Sequence, residues 1–291
     1  MFITKKNLKD WKLWYKLAIA LLIIGFLLQG LIRGIINIGD SVYKIDGEEF
    51  KKWAVYIGDK NSNDPAKFVG YDYQGYIINY FSFFTIQSNI LVAIWFLVSF
   101  FNHNKESETK FLSRSISLCV VTYITITGLI FNGMLLPQVL LTENDLNLTP
   151  FWWVDQMVLH TVVPIATIVY YLLLMKQELN FNFKEFVKRD FILMCIYPII
   201  YLISSLIRGE LIYRSVGSDA ILASKKGAYP YFFLEIHNKQ VSGLSGVVWM
   251  FIAIIAIISI IIGLGSLYLF VASKINNYKG EITNEESKKQ S

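Results

Sequence analysis

The chain has 291 residues, of which 54% are apolar and only 17% are charged, with 21 Phe, 17 Tyr and 7 Trp. Soluble globular proteins carry about 25% charged residues, and a soluble fold of this composition would leave too much apolar surface in water. The net charge of +5 does not indicate nucleic-acid binding, because the basic residues lie in short segments between apolar runs. We therefore exclude a soluble protein and predict a membrane protein.

The N-terminus resembles a secretory signal peptide, because Lys5, Lys6, Lys9 and Lys12 precede an apolar run. That run continues from about position 17 to 32, and no small-x-small cleavage site follows it. Signal peptides have shorter apolar regions that end at such a site. We therefore predict a retained first membrane span.

Six segments are apolar over lengths close to what a helix needs to cross a hydrocarbon layer of about 30 Å. We predict an all-α fold, a polytopic integral membrane helical bundle with spans at roughly 15–36, 77–101, 116–136, 152–175, 191–207 and 247–272. The fifth span is short and contains Pro198. The spans are expected to form a single domain, residues 1–272, followed by a polar cytoplasmic tail, residues 273–291.

Lysine and arginine are concentrated in the segments on one side of the predicted spans. These segments are the N-terminus, residues of about 103–114 and 176–189, and the tail. On the other side, the loop 137–151 has no lysine or arginine. Cytoplasmic loops are enriched in these residues, so we predict a multi-pass protein of the cell membrane with both termini in the cytoplasm.

Polar residues within the apolar spans indicate function, because polar and ionisable groups are costly at membrane depth. The polar stripes consist of Ser82, Thr85, Ser88 and Asn89 in the second span, Thr125, Gly128 and Asn132 in the third, and Gln156, His160, Pro164 and Thr167 in the fourth. Their helical spacing gives each stripe one face. The predicted span directions place Thr85, Asn132, His160 and Arg208 in the outer half of the membrane, with Asp155 and the loop 229–231 near the same level. We therefore predict one buried polar pocket there.

Thr85 and His160 are the candidate catalytic residues. A threonine hydroxyl is a weak nucleophile unless a base removes its proton, and histidine suits that task at neutral pH. Gln156, one turn before His160, is predicted to fix the tautomer of the ring. Asn89 or Asn132 is predicted to donate a hydrogen bond to a developing oxyanion.

Pro164 adds a prediction about the fourth span. Proline has no N–H to donate to the carbonyl four residues earlier, and here that carbonyl belongs to His160. A freed carbonyl is tolerated in a membrane only if protein or water satisfies it. We therefore expect another group to donate a hydrogen bond to His160.

Other chemistries are excluded by the residue types present. One histidine within the spans is too few for a bis-histidine haem or a common metal site. The sequence has no P-loop, dinucleotide-binding glycine pattern or Gly-x-Ser-x-Gly motif. We expect no cofactor and no metal. Purely structural roles stay open for Thr85, for Asn89 and Asn132 as interhelical bonds, and for Arg208 as a snorkelling side chain.

Three strings of the sequence carry a family resemblance. They are Phe-Phe-Thr-Ile-Gln-Ser-Asn at 83–89, His-Thr-Val-Val-Pro at 160–164 and Tyr-Pro-Tyr-Phe at 229–232. With Ile-Arg-Gly at 207–209, they look like the hallmarks of the bacterial Pr6Pr family of six-span membrane proteins, over residues of about 76–270. The pattern is similar, more distantly, to the androgen-induced and androgen-dependent TFPI-regulating proteins. Those are intramembrane hydrolases of fatty acid esters of hydroxy fatty acids.

This resemblance implies roles for particular residues. Thr85 matches the threonine nucleophile, and His160 matches the histidine that opens a His-Thr-x-x-Pro-like string. The loop 229–235 matches a Tyr-Pro-Phe-Leu-Glu loop with a short insertion. The chain departs from the pattern in its longer first outer loop and in the Gln-Ser-Asn that follows the threonine region.

Two functions from different classes remain as hypotheses. The first is an intramembrane hydrolase of lipid (fatty acid) esters, with a polar pocket that includes Ser88, Asn89, Asn132, Gln156, Arg208 and Tyr231. The alternative is a non-enzymatic transporter or a protein that binds a lipid or small ligand through His160 and Arg208. A structural membrane partner is a third possibility. Membrane lipids are the expected partners, a lipid ester is the expected substrate, and no nucleic acid is expected.

Overall fold

The structure, a computed structural model, describes residues 5–58, 67–141, 148–175, 182–239 and 243–290. Among these residues, six helices are long and apolar enough to cross a membrane, by length and composition. The predicted all-α, polytopic membrane fold class is therefore confirmed. The six spans are Trp11–Ile36, Phe84–Phe101, Arg114–Leu135, Pro150–Leu174, Phe183–Ser215 and Gly246–Tyr278. The predicted loops include residues 59–66, 142–147, 176–181 and 240–242, and these residues lie outside the described part of the chain.

The first span is helix α1, Trp11–Ile36. The predicted second span is interrupted, because a short helix α2, Tyr73–Phe81, precedes helix α3, Phe84–Phe101. At the break, the Ser82 hydroxyl donates to the Asn79 carbonyl over 2.7 Å. Serine side chains compete with the helix for backbone groups in this way. The break places Thr85 in the first turn of α3.

The third and fourth spans contain π-helical turns. Helix α4, Arg114–Ile130, continues through a π-helix, Phe131–Leu135, into α5, Leu136–Leu141. The fourth span comprises α6, Pro150–Met157, a π-helix, Val158–Val162, α7, Val163–Val169, and a second π-helix, Tyr170–Leu174. Single π-turns inside α-helices are rare overall, and those that occur are frequently found at functional sites. Pro164 occupies the start of α7, where its missing N–H favours the change of helix type.

The last two spans are longer than predicted. The fifth begins with α8, Phe183–Glu185, and a π-helix, Phe186–Asp190, and continues as α9, Phe191–Ser215. A short helix α10, Ala220–Lys225, lies in the following segment. Helix α11 extends over Gly246–Gln290, so the backbone of the predicted polar tail is helical as far as Gln290.

The segment between α1 and α2 contains two β-hairpins that sequence analysis did not predict. Strand β1, Val42–Ile45, pairs antiparallel with β2, Glu48–Lys51. Strand β3, Ala54–Ile57, pairs antiparallel with β4, Lys67–Tyr71. The first hairpin turns at Asp46 and Gly47, which both have positive φ values, 50° and 85°. An Asp-Gly pair is the usual signal for such a turn, so the sequence did contain a signal for this hairpin.

The chain divides into two compact units, each built from segments that are separate in sequence. The first unit comprises Met1–Phe26, Gln87–Ile199 and Ala256–Ser291, and the second comprises Leu27–Ile86 and Ile200–Ile255. In the first unit, α3 and α4 contribute fully buried side chains such as Trp95, Phe96 and Ile124. The core of the second unit is a cluster of Tyr201, Ala223, Ala228, Tyr229 and Leu234.

Candidate functional site

His160 lies buried in the π-helix Val158–Val162 of the first unit. Its Nδ1 is 3.0 Å from the backbone carbonyl oxygen of Gln156. A carbonyl only accepts, so Nδ1 carries the hydrogen, and Nε2 is the basic nitrogen of the neutral ring. Gln156 therefore sets the tautomer, and it does so through its backbone carbonyl.

The ring of His160 is held by a second contact. It stacks on Phe131, with ring centroids 3.9 Å apart and planes inclined by 20°. Phe131 is itself buried and begins the π-helix of the third span. The two π-helices therefore meet at this ring pair, which limits the orientations open to the imidazole.

The carbonyl of His160 accepts a hydrogen bond from another helix. Asn132 Nδ2 donates to it over 3.1 Å, and also to the Gly128 carbonyl over 2.8 Å. The prediction that another group would satisfy the carbonyl freed by Pro164 is therefore confirmed. The amide nitrogen of Asn132 has two hydrogens, and these two bonds use both. The geometry thus gives Asn132 a role in holding the π-helix, and an oxyanion role would require one of these bonds to break.

Asn132 is in turn oriented by Thr161, whose hydroxyl donates to Asn132 Oδ1 over 3.2 Å. Neither Thr161 nor Phe131 is among the site residues predicted from the sequence. Thr161 does lie in the string 160–164, directly after His160. No periodicity argument would have selected Phe131, because stacking on a histidine of another helix leaves no mark in a local pattern.

Two polar residues of the second-span stripe lie in the same unit. Asn89 is buried, and its Nδ2 donates to the Leu159 carbonyl over 3.2 Å. Ser88 is also buried, and its hydroxyl is 2.8 Å from the hydroxyl of Thr127. These are hydrogen bonds between helices, which polar residues commonly form in membranes. Asn89 and Asn132 thus hold successive carbonyls of the π-helix that carries His160.

Gly128 permits the close approach of α4 to the fourth span. A Cβ at this position would lie 2.9 Å from the His160 carbonyl oxygen and 3.2 Å from Pro164 Cγ. Small residues allow helix backbones to approach in this way in membranes. Gly128 therefore positions Asn132 within reach of the His160 carbonyl.

In the second unit, Thr85 lies next to Tyr231. The Thr85 hydroxyl and the backbone N–H groups at Phe84 and Thr85 face the Tyr231 hydroxyl oxygen and favour its ionised form. The Tyr231 ring stacks on Phe233 and meets Phe83 edge-on, with centroid distances of 5.1 and 6.1 Å. Burial raises the pKa of Tyr231, and the bonds from Thr85 oppose that shift. The phenol therefore stays protonated at neutral pH.

Arg208 of the second unit is fixed by acceptors from two other segments. Its Nη1 donates to the carbonyls of Gly227 and Ala228 over 2.9 and 2.7 Å, and its Nη2 donates to Asn79 Oδ1 over 2.8 Å. The planar guanidinium suits such a divergent set of acceptors. Asn79 is buried on α2, and sequence analysis did not assign it a role.

The predicted site residues fall into the two units. The first unit brings Asn89, Asn132 and Gln156 to the turn that carries His160, and the second brings Tyr231 to Thr85. The predicted pairing of Thr85 with His160 stays a prediction. Comparisons with models of protein families, with curated proteins and with solved structures found no match for this chain.

Proposed function

We propose that the protein is a membrane-embedded hydrolase of lipid esters in which His160 acts as general base and then as general acid. The hydrogen bond from His160 Nδ1 to the Gln156 carbonyl carries this proposal. It selects the tautomer in which Nε2 can accept a proton, as a general base requires. The Phe131 stack and the Asn132 bond support the same role, because a catalytic group must be held in one orientation.

The proposal assigns the nucleophile to Thr85, as the family resemblance implies. The Thr85 hydroxyl oxygen would attack the ester carbonyl carbon while its proton passes to His160 Nε2. Collapse of the tetrahedral intermediate breaks the bond to the alcohol, which leaves with the proton from His160. Water then attacks the acyl-threonine and gives up its proton to His160. Collapse of this second intermediate breaks the bond to Thr85 Oγ, which regains the proton from His160 as the fatty acid is released.

Tyr231 takes the oxyanion role in this proposal. Its hydroxyl faces the Thr85 side chain, next to the oxygen that would form the new bond to the carbonyl carbon. Its raised pKa keeps it a hydrogen-bond donor at neutral pH, and a donor aimed at developing charge stabilises the transition state. A lipid substrate fits a chain with six apolar spans, because the acyl chain reaches the protein from the membrane itself.

A covalent probe tests the proposal. Membranes that contain the wild-type chain are treated with a fluorophosphonate, and the labelled residue is located by mass spectrometry. We expect labelling at Thr85, no labelling of Thr85→Ala, and labelling of His160→Ala slowed by about 100-fold or more. Thr167→Ala is the matched control, since Thr167 is buried and donates to the Val163 carbonyl of its own helix. Equal labelling of wild type and the Thr85 and His160 variants would overturn the proposal, as would an unlabelled wild type.

A further inference from the structure

Three basic side chains of the second unit converge at the loop that follows α10. Arg208 donates to the Gly227 carbonyl over 2.9 Å. Lys52 also lies close to this residue, because a Cβ at Gly227 would be 2.9 Å from Lys52 Nζ. Lys226 Nζ donates to the Lys52 carbonyl over 3.0 Å. We call Lys52, Arg208 and Lys226 the basic cluster.

Glycine is required where the basic cluster meets. Gly227 has a φ of +72°, a backbone conformation that side chains with a Cβ rarely adopt. A Cβ there would also lie 2.9 Å from Lys52 Nζ and 3.2 Å from Asn79 Oδ1, so the lysine side chain would have to move. The absence of a side chain at Gly227 therefore allows Lys52 Nζ to approach the residue whose backbone carbonyl Arg208 binds.

No carboxylate among the described residues forms an ion pair with the basic cluster. The negative charge of Asp72 acts on Lys226, but the Asp72 carboxylate accepts a bond of 2.7 Å from the Gly75 N–H at the start of α2. All three basic residues are only partly exposed. Their mutual repulsion is therefore screened less than it would be on an open surface.

The cluster also has donor capacity that the described protein groups do not use. Arg208 Nε is buried and has no hydrogen-bond partner among the described residues. Lys52 Nζ and Lys226 Nζ lie over the rings of Trp53 and Tyr43, at 5.4 and 5.6 Å from the centroids. Burial and the charges of Arg208 and Lys226 lower the pKa of Lys52 to about 8. A bound anion would relieve both the repulsion and the unused donors.

We propose that the basic cluster is a binding site for a phosphate group. A phosphate ester carries one or two negative charges on oxygens that point in several directions. The charge of a phosphomonoester is about −1.5 to −2 near neutral pH. It can therefore meet cationic groups that approach from three separate segments, as Lys52, Arg208 and Lys226 do. Lysine and arginine are the usual partners of phosphate in proteins. The phosphate group is either part of a lipid headgroup or part of a soluble phosphate compound. This inference does not depend on the proposed esterase.

Ligand-dependent thermal unfolding of the full chain tests the site. The protein in a neutral detergent at pH 7 is titrated with inorganic phosphate, and with sodium chloride and sodium acetate at equal ionic strength. A second arm uses mixed micelles that contain dioleoyl phosphatidic acid or dioleoyl phosphatidylcholine. A ligand that binds only the folded state raises Tm in a saturable manner. A rise with inorganic phosphate assigns a soluble ligand, and a rise with phosphatidic acid alone assigns a lipid headgroup.

Neighbouring lysines provide matched controls. We expect Lys52→Met and Lys226→Met to weaken the apparent affinity by about tenfold or more, since each removes a charge from the cluster. Both variants keep the Arg208 bonds to Gly227, Ala228 and Asn79. Lys226→Met also loses the bond to the Lys52 carbonyl, so Lys52→Met is the cleaner of the two, and Tm without ligand checks the fold of each. Lys51→Met and Lys225→Met remove exposed lysines one position away and should bind as the wild type does. The proposal is overturned if the wild type shows no saturable rise, if acetate acts equally, or if all four variants respond alike.

Discussion

Two groups of basic side chains in this protein, one buried and one partly exposed, differ in how their charge is balanced. In the first unit, Lys16 is almost fully buried and forms an ion pair with Glu106. Lys16 Nζ also donates to the Ser99 carbonyl over 3.1 Å and to His103 Nδ1 over 2.9 Å. In the second unit, the basic cluster has no ion pair with any carboxylate of the described residues.

The Lys16 group is a closed network. The hydroxyls of Ser99 and Tyr170 donate to the same Glu106 oxygen. A lysine ammonium only donates, so His103 accepts at Nδ1 and donates from Nε2 to Asp10 over 3.0 Å. The comparison teaches that burial of a charge has two outcomes. A complete set of partners holds a structure together, and an incomplete set leaves affinity for a ligand.

The largest effect is expected from breaking the closed network. Glu106→Gln keeps the shape of the side chain but leaves Lys16 buried without its counter-charge. Breaking a buried pair by removing one partner costs about 3–5 kcal/mol, so the free energy of unfolding in detergent should fall by about that amount. Chemical denaturation followed by tryptophan fluorescence measures it.

The control for this variant is an exposed ion pair next to the network. Glu108 is 4.0 Å from Lys105, and both side chains are more than half exposed. Glu108→Gln should therefore change the free energy of unfolding by less than about 1 kcal/mol. The double variant Lys16→Met/Glu106→Leu should be more stable than Glu106→Gln, because no charge stays buried. Similar losses for Glu106→Gln and Glu108→Gln would contradict the distinction between closed network and surface.

An intermediate effect is expected from the pH dependence of the basic cluster. Burial and the charges of Arg208 and Lys226 lower the pKa of Lys52 to about 8 in the folded protein, from the value of 10.5 that an unperturbed lysine has in the unfolded chain. Between these values the unfolded state binds more protons, so the free energy of unfolding of the wild type should rise with pH. The rise should be about 1–3 kcal/mol relative to Lys52→Met. Denaturation at pH 7 and pH 9.5 measures it, and Lys225→Met should behave as the wild type. If the difference in the free energy of unfolding between wild type and Lys52→Met is the same at pH 7 and pH 9.5, the repulsion in the basic cluster is already balanced.

The smallest effect is expected from His103 in the closed network. Burial and the charge of Lys16 hold the pKa of His103 below its usual value of 6.5, against the opposing effect of Asp10. As pH falls below 6.5 the unfolded state takes up a proton that the folded state does not, so stability should be lost. Unfolding of wild type and His103→Asn at pH 7 and 5.5 tests this, with His237→Asn as the control. If His103→Asn loses as much stability on acidification as the wild type, His103 is not responsible.

The consequences of Pro164 show how far local sequence reasoning reaches. Its chemistry alone predicts that the His160 carbonyl needs another donor, and the span lengths alone predict six membrane helices. Both follow from properties of one residue or one segment. The identity of the donor, Asn132, depends on the approach of α4 at Gly128, which no local pattern encodes. The same holds for the ring pair of His160 and Phe131.

The sequence by itself determined the fold class, the six apolar spans and the presence of one intramembrane histidine beside a proline, because apolar length and proline chemistry act locally. Only the tertiary structure decided which groups bond to His160, where α2 ends, and that Lys52, Arg208 and Lys226 meet at Gly227. These three basic residues are far apart in the sequence, and each alone is typical of a loop or a span end. Their proposed binding of phosphate depends on the combined charge of all three side chains. Electrostatic interactions depend on separation in space and not on separation along the chain, so only the fold brings these charges together.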